Sequence, residues 1–209
     1  MKVILFLNGK CPKLNVINNY LNNKSFIISA DGASNYLKKL GILPHVIIGD
    51  LDSINKITFG YFKTKNVEII KIEDQNTTDF EKSLQYCLKE NLKDITVFGS
   101  ISPRPDHTLN NFSVLKRYYN KINIKIISDE YESFFIKNKI SFNYKINETV
   151  SLLALPKAGG IITEGLQYPL TNGSLEFGIK EGALNKSISK KITISFKSGS
   201  LLLFKKHFI

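Results

Sequence analysis

The chain has 209 residues, 43% of them hydrophobic, which suffices for a buried core and bounds it at one large domain or two small ones. A formal charge of +11 favours polyanions in general, but only Arg104 and Arg117 are arginines, and the lysines are scattered among asparagines and isoleucines without a basic run, which argues against a nucleic-acid interface. No apolar run approaches the roughly 18 residues of a membrane span, 3–7 is shorter than a signal-peptide core, and Cys11 and Cys87 lack metal or redox spacing, so a soluble cytoplasmic chain with reduced thiols is expected.

In chain order, "KVILFLN", "SFIISAD", "HVIIGD", "VEIIKI", "DITVFGS" and "IKIISD" are predicted strands. They are apolar continuously rather than on alternate residues, which predicts burial on both faces of a parallel sheet. Amphipathic segments separate them. "TTDFEKSLQYCLKEN" puts Phe80, Leu84, Cys87 and Leu88 on one helical face, with Thr78 and Glu81 in capping-box spacing. "DHTLNNFSVLKRYYN" spaces Leu109, Phe112 and Leu115 as a second helix. Alternation of strand and helix predicts a doubly wound α/β domain over 1–132.

From about residue 133 the rhythm becomes strand and turn: "FFIKN", "ISFNYKI", "TVSLLALP", "GIITEG", "SLEFGIK", "KKITISFK" and "SLLLFKK". An antiparallel β-sandwich over 133–209 is expected, packed closely on the first domain.

Ligands of an open parallel sheet bind outside the carboxyl ends of its strands, and there the acidic residues collect: Asp31, Asp50, Asp52, Asp74, Asp79 and Asp106. Burial of apolar strands requires none of them. Asp50 and Asp52 point the same way if Leu51 is extended, and paired carboxylates are a seat for magnesium, which takes oxygen ligands and completes its shell with water and phosphate. The other reading has Asp52 capping a helix that starts near Ser53 and Asp50 bonding loop amides. Arg104, in the Gly/Ser/Pro loop "GSISPRPDHTLNN", is placed either to clamp phosphate or to form a local salt bridge with Asp106. Asp106, His107 and Asp79 suit a helix's first turn as well as a site, while Asp74 and Gln75 also fit an ordinary polar loop. His45 and His207 are assigned to structure. No P-loop, dinucleotide fingerprint or nucleophile elbow occurs, which leaves phosphate chemistry through carboxylate-bound magnesium and an arginine.

Taken in order, "ADGASNYL", "PHVIIGDLDSI", "DQNTTDFEKSL", "FGSISPRPDHTLNN" and "GLQYPL" resemble the thiamine pyrophosphokinase family, and the resemblance runs through most of the chain. It implies an enzyme that moves the terminal pyrophosphoryl group of ATP onto the hydroxyethyl oxygen of thiamine, giving thiamine diphosphate and AMP. It also implies a magnesium-dependent homodimer with an ATP-binding catalytic α/β domain, a β-sandwich for thiamine and dimerisation, and thiamine clefts between subunits. On these positions the metal and phosphate carboxylates are Asp50, Asp52 and Asp79. Asp31, Asp50, Thr78, Arg104, Asp106 and His107 stand on the ATP side; Gln75, Asp79 and Asn185 stand on the thiamine side; and Asp50, Asp52, Asp79 and Arg104 carry catalysis. Three departures stand out: Ser102 and Pro103 where glycines are usual, Lys186 in "ALNKS" where an acid is usual, and no tryptophan to stack on thiamine. A haloacid-dehalogenase-like phosphatase is the rival enzyme, since its nucleophilic aspartate also ends a strand in a D-x-D pattern, and a basic RNA-binding module is the non-enzymatic rival.

Overall fold

The computed structural model describes residues 1–208, in two compact units divided after Asp129. The first unit alternates strand and helix: β1 (Lys2–Phe6), α1 (Leu14–Tyr20), β2 (Phe26–Ala30), α2 (Ala33–Lys39), β3 (Val46–Gly49), α3 (Lys56–Thr64), β4 (Glu68–Lys71), α4 (Asp79–Lys89), β5 (Asp94–Phe98), α5 (Pro105–Tyr118) and β6 (Asn123–Ile127). Every pairing in it is parallel, in the order β4-β3-β2-β1-β5-β6. The predicted strands all form. Continuous apolar runs bury β1 and β3 on both faces, whereas β4, at the sheet edge, leaves Glu68 and Lys71 exposed. The order reverses between β1 and β5. Such a switch point opens a crevice at the strands' carboxyl ends, because the flanking loops depart in opposite directions.

α4 begins as its sequence implies, with Thr78 at the N-cap accepting from the Glu81 amide at 3.3 Å. The reciprocal half of the capping box does not form. The Glu81 carboxylate is drawn instead to Arg117 Nη1 (2.6 and 2.7 Å) and the Tyr118 hydroxyl (3.0 Å), which ties α4 to α5 through a buried acid. Arg117 stays more than half exposed, which screens the pair. Glu81→Gln is expected to cost about 1.5 kcal/mol, read as a lower urea midpoint at unchanged m-value; an unmoved midpoint would show that the tie contributes nothing. In α5 the buried side chains are Val114, Leu115 and Tyr118, and the predicted stripe fails at Leu109, which is 65% exposed. The first turns of α5 serve a cleft rather than the core, as described below.

The second unit, Glu130–Phe208, is antiparallel: β7 (Tyr131–Ile136), β8 (Lys139–Asn143), β9 (Thr149–Glu164), β10 (Gly173–Glu176), β11 (Gly182–Lys186), β12 (Lys191–Ser195) and β13 (Ser198–Lys206). "TVSLLALP" and "GIITEG", expected as two strands, are one strand of 16 residues. β9 pairs with β13, β10 and β11 along its first part and with β12 at 162–164, so it passes from one sheet to the other. Gly159 and Gly160 sit at that passage, and Gly160 has φ +68°, so the "KAG" left between the two expected strands belongs to a bend within one strand. Val150, Leu152, Ala154, Ile192, Ile194 and Leu201 face inward between the sheets. Among the described residues no helix is long and apolar enough to cross a membrane.

Candidate active site

A cleft of about 310 Å³ opens at the β1/β5 switch point. The loop after β1 and the loop after β5 run side by side as its floor, joined by Leu7 N–H to Phe98 C=O (2.8 Å), Gly9 N–H to Gly99 C=O (2.9 Å) and Lys10 N–H to Ile101 C=O (2.6 Å). Their approach requires glycine: a Cβ on Gly9 would lie 2.3 Å from the Gly99 oxygen, and one on Gly99, at φ +71°, would lie 2.1 Å from the Leu7 oxygen.

Beside this floor the strand-end acids converge. Ligand oxygens of Asp31, Asp50 and Asp79 lie within 4.8 Å of one another. Asp31, 1% exposed, follows β2 and accepts from the Ser53 amide (3.0 Å) and the Ile54 amide (3.1 Å), which folds the β3–α3 loop over it. Gly49 lets the group close, since a Cβ there would be 2.7 Å from Asp31 Cβ and 3.1 Å from Asp79 Oδ1. Asp50 follows β3, and its Oδ1 accepts from the Asp52 amide at 3.3 Å. Asp79 is the first residue of α4. Behind them Lys82, 2% exposed, sets its Nζ 3.3 Å from Asp79 Oδ1 and 3.9 Å from Asp50 Oδ2.

Electrostatics separate the three acids. Burial, aided by the negative charges of Asp79 and Asp50, pushes Asp31 up to about 6 despite its two amide donors. Burial likewise raises Asp79, against the opposing pull of Lys82. Burial acts in the same sense on Asp50, but the Asp52 amide and the Lys82 ammonium together with Gln75 more than offset it and hold that carboxyl below its ordinary range. The raised Asp31 value has a fixed sign. Its contribution to stability is fully present below about pH 4 and is lost as pH rises through about 6. Melting of the metal-free protein should therefore show an Asp31 component that falls across that window and is absent in Asp31→Asn; identical pH slopes in the two proteins would contradict it.

The D-x-D geometry differs from expectation. Leu51 adopts φ +69°, so the chain is not extended there, and the Asp52 side chain accepts from its neighbour's hydroxyl, Ser53 Oγ, at 2.8 Å. The close carboxylate group contains Asp31 where the sequence pairing has Asp52. The following helix starts at Lys56 and is capped by Asn55, not by Asp52. Asp50, Thr78, Asp79 and His107 line the cleft, whereas Asp31, Asp52, Gln75, Arg104 and Asp106 are not among its lining residues. Arg104 makes the local pair: its Nη2 and Nε reach Asp106 at 2.6 and 3.2 Å, with both side chains mostly exposed. Asp74 and its loop read as the polar alternative, with the Asp74 carboxylate accepting from the Asn76 amide and the Thr77 hydroxyl. Sequence reasoning missed Asn8 and Gly9 after β1, Asn110 and Asn111 on α5, and Lys82. For Lys82 the available signal was its i+3 spacing from Asp79 on α4.

In the second unit, Asn185 on β11 bonds both main-chain groups of Tyr168, its Oδ1 accepting from the amide (3.1 Å) and its Nδ2 donating to the carbonyl (2.8 Å). "GLQYPL" and "ALNKS" are thereby one local structure, and the Tyr168 side chain stands 66% exposed on it. Lys186 contributes its amide to the same Asn185 oxygen, at 2.9 Å.

Residues 17–127 match the thiamin pyrophosphokinase catalytic domain, and residues 137–201 match the thiamin pyrophosphokinase vitamin B1 binding domain. The chain belongs to the thiamin pyrophosphokinase family. Among its relatives, thiamin pyrophosphokinase 1 of Caenorhabditis elegans is 29% identical, over 97% of this chain and 87% of that one. Thiamine pyrophosphokinase 1 of Oryza sativa subsp. japonica is 30% identical, over 77% and 65% respectively. The fold is that of the thiamine pyrophosphokinase crystal structure from Bacillus subtilis, with a TM-score of 0.87 at 20% identity and full coverage of both chains. The yeast thiamin pyrophosphokinase structure has the same fold, with a TM-score of 0.81 at 18% identity, covering 99% of this chain and 86% of that one. Asp31, Asp50 and Asp79, with the cleft lining from Ala30 to Asn111, fall in the stretch matched to the catalytic domain, and the Tyr168–Asn185 structure falls in the stretch matched to vitamin B1 binding.

Proposed function

We propose that this chain transfers the pyrophosphoryl group of ATP to the hydroxyl of thiamine. The bond between the α,β-bridging oxygen and the β-phosphorus breaks, the hydroxyl oxygen takes that phosphorus, its proton goes to a base, and AMP leaves. The observation that carries the reading is the convergence of three carboxylates of the catalytic-domain match, Asp31 after β2, Asp50 after β3 and Asp79 at the start of α4, with Asp50 and Asp79 lining the switch-point cleft. Neither the phosphatase nor the RNA-binding reading has any such support.

Three oxygen donors within 4.8 Å suit a hard divalent cation, and magnesium is the proposed metal, held by Asp50, Asp79 and Asp31, with Asp52 bonded to its neighbour Ser53 outside that group. When bound, it would neutralise charge on the polyphosphate. The side chains supply the rest. Thr78, His107 and Asp50 line the cleft and are assigned to ATP, as are Arg104 at the N-cap of α5 and Asp106 in its first turn. To clamp phosphate, Arg104 exchanges one carboxylate partner for another anion, which its exposed position allows at little cost. Asp79, held up by burial, is the proposed acceptor of the hydroxyl proton. Gln75 and Asn185 are assigned to thiamine, and Tyr168 is the aromatic surface available next to Asn185 where tryptophan is lacking. A cytoplasmic homodimer is the proposed working form.

The test is incubation of purified protein with ATP, magnesium and thiamine, followed by chromatography of nucleotides and thiamine esters. AMP and thiamine diphosphate appearing in equal amounts is the expected result; ADP with thiamine monophosphate would overturn the reading.

A further inference from the structure

We propose that Lys82 is the resident counter-ion of the carboxylate group, and that it turns to the polyphosphate when nucleotide binds, so that metal and nucleotide enter the site as mutually supporting ligands. The inference rests on the functional reading above and adds a residue that the sequence did not single out.

Lysine is almost never fully buried unless paired, because its ammonium gives up hydration that only close anions can replace. Lys82 is 2% exposed, and its Nζ is 3.3 Å from Asp79 Oδ1 and 3.9 Å from Asp50 Oδ2, two of the three acids of the proposed metal seat. The i,i+3 relation to Asp79 on α4 fixes where its stem starts. The ammonium therefore offsets the mutual repulsion of acids that lie within 4.8 Å of each other. A divalent ion approaching the same oxygens meets a positive charge already beside them, and like charges at such short range repel. Lys82 also lines the cleft. Polyphosphate entering there offers it new acceptors, and an ammonium with three rotatable donors can exchange carboxylate for phosphate without moving its backbone. Metal alone is then held weakly, and the metal–nucleotide complex is favoured over either component. A purely structural lysine would hold the acids together with no such coupling.

The experiment titrates Mn2+ into the full chain, wild type against Lys82→Met and Lys82→Gln, reading free Mn2+ by electron paramagnetic resonance with and without a non-hydrolysable ATP analogue. Without nucleotide, the variants are expected to bind Mn2+ at least about fivefold more tightly than wild type. They are also expected to bind the analogue about tenfold more weakly, having lost a charge-assisted contact. Mn2+ should raise the Tm of the variants more than that of the wild type; a variant that stays unfolded even with Mn2+ would overturn the proposal, because no cation would then replace the ammonium. Unchanged or weaker Mn2+ binding in folded variants, with the wild type binding both ligands, would overturn the role of Lys82 alone. A wild type that binds neither Mn2+ nor the analogue would overturn the functional reading and this inference with it.

Discussion

Asp50→Asn is expected to lower turnover at least about a hundredfold, or about 3 kcal/mol of barrier, while leaving the melting temperature near that of the wild type. The two halves of that expectation come from different bonds. Asp50 sits at the cleft, with a carboxyl held below its ordinary range by the Asp52 amide and Lys82, so it is ionised and aimed where charge must be offset. Among the described residues its backbone partner is the Asp52 amide, at a long 3.3 Å, so little of the fold depends on it. Asp31 behaves differently: its two oxygens hold the Ser53 and Ile54 amides, and Asp31→Asn, with one acceptor left, should disturb the loop as well as the chemistry. Parallel assays and melts on the two variants separate the roles. Undiminished turnover in Asp50→Asn would remove the carboxylate group from the mechanism.

Gly99→Ala is expected to destabilise the first unit by about 3 kcal/mol, a fall in Tm on the order of 10 °C, and to abolish activity with it. Two costs act together. The φ of +71° is unfavourable for an L-residue, and the added Cβ would stand 2.1 Å from the Leu7 oxygen, a backbone atom that cannot rotate away. The loops after β1 and β5 would have to part, breaking the hydrogen bonds that form the cleft floor. Gly41, also at positive φ (+67°), is the control: a Cβ there meets nothing within 4 Å, so Gly41→Ala carries only the conformational cost, about 1 kcal/mol. Equal losses at the two positions would show that the close approach of the loops contributes nothing.

The parallel sheet was legible because continuous apolar runs of four to six residues have few other uses, and each of the six became a strand. The sandwich was legible as a rhythm but not in detail. "KAG" reads as a break because glycine weakens a strand interior, and only the pairing of β9 with both sheets shows that it belongs to a bend. At the site, the acids at strand ends were visible one by one, but which of them meet depends on backbone torsion. Leu51 at φ +69° undoes the alternation that would have set Asp50 and Asp52 side by side, and the tertiary fold brings Asp31 to Asp50 and Asp79 instead. Arg104 adopts the local pairing that its sequence neighbour Asp106 offered. Lys82 was hidden because a lysine on a helix reads as solvated; its burial comes from the acids around it, which lie 32 and 3 positions away in the chain. Glu81 was misread in the same way, since a capping-box spacing says nothing of an arginine on another helix.

The central claim, that this cleft moves two phosphoryl units at once from ATP to thiamine, is tested most directly by the fate of radioactive phosphorus. With magnesium, thiamine and ATP labelled at the γ-phosphorus, the label should appear in thiamine diphosphate; with ATP labelled at the α-phosphorus, it should remain wholly in AMP. Label from the γ-position released as free phosphate, or carried into thiamine monophosphate while ADP accumulates, would contradict the account.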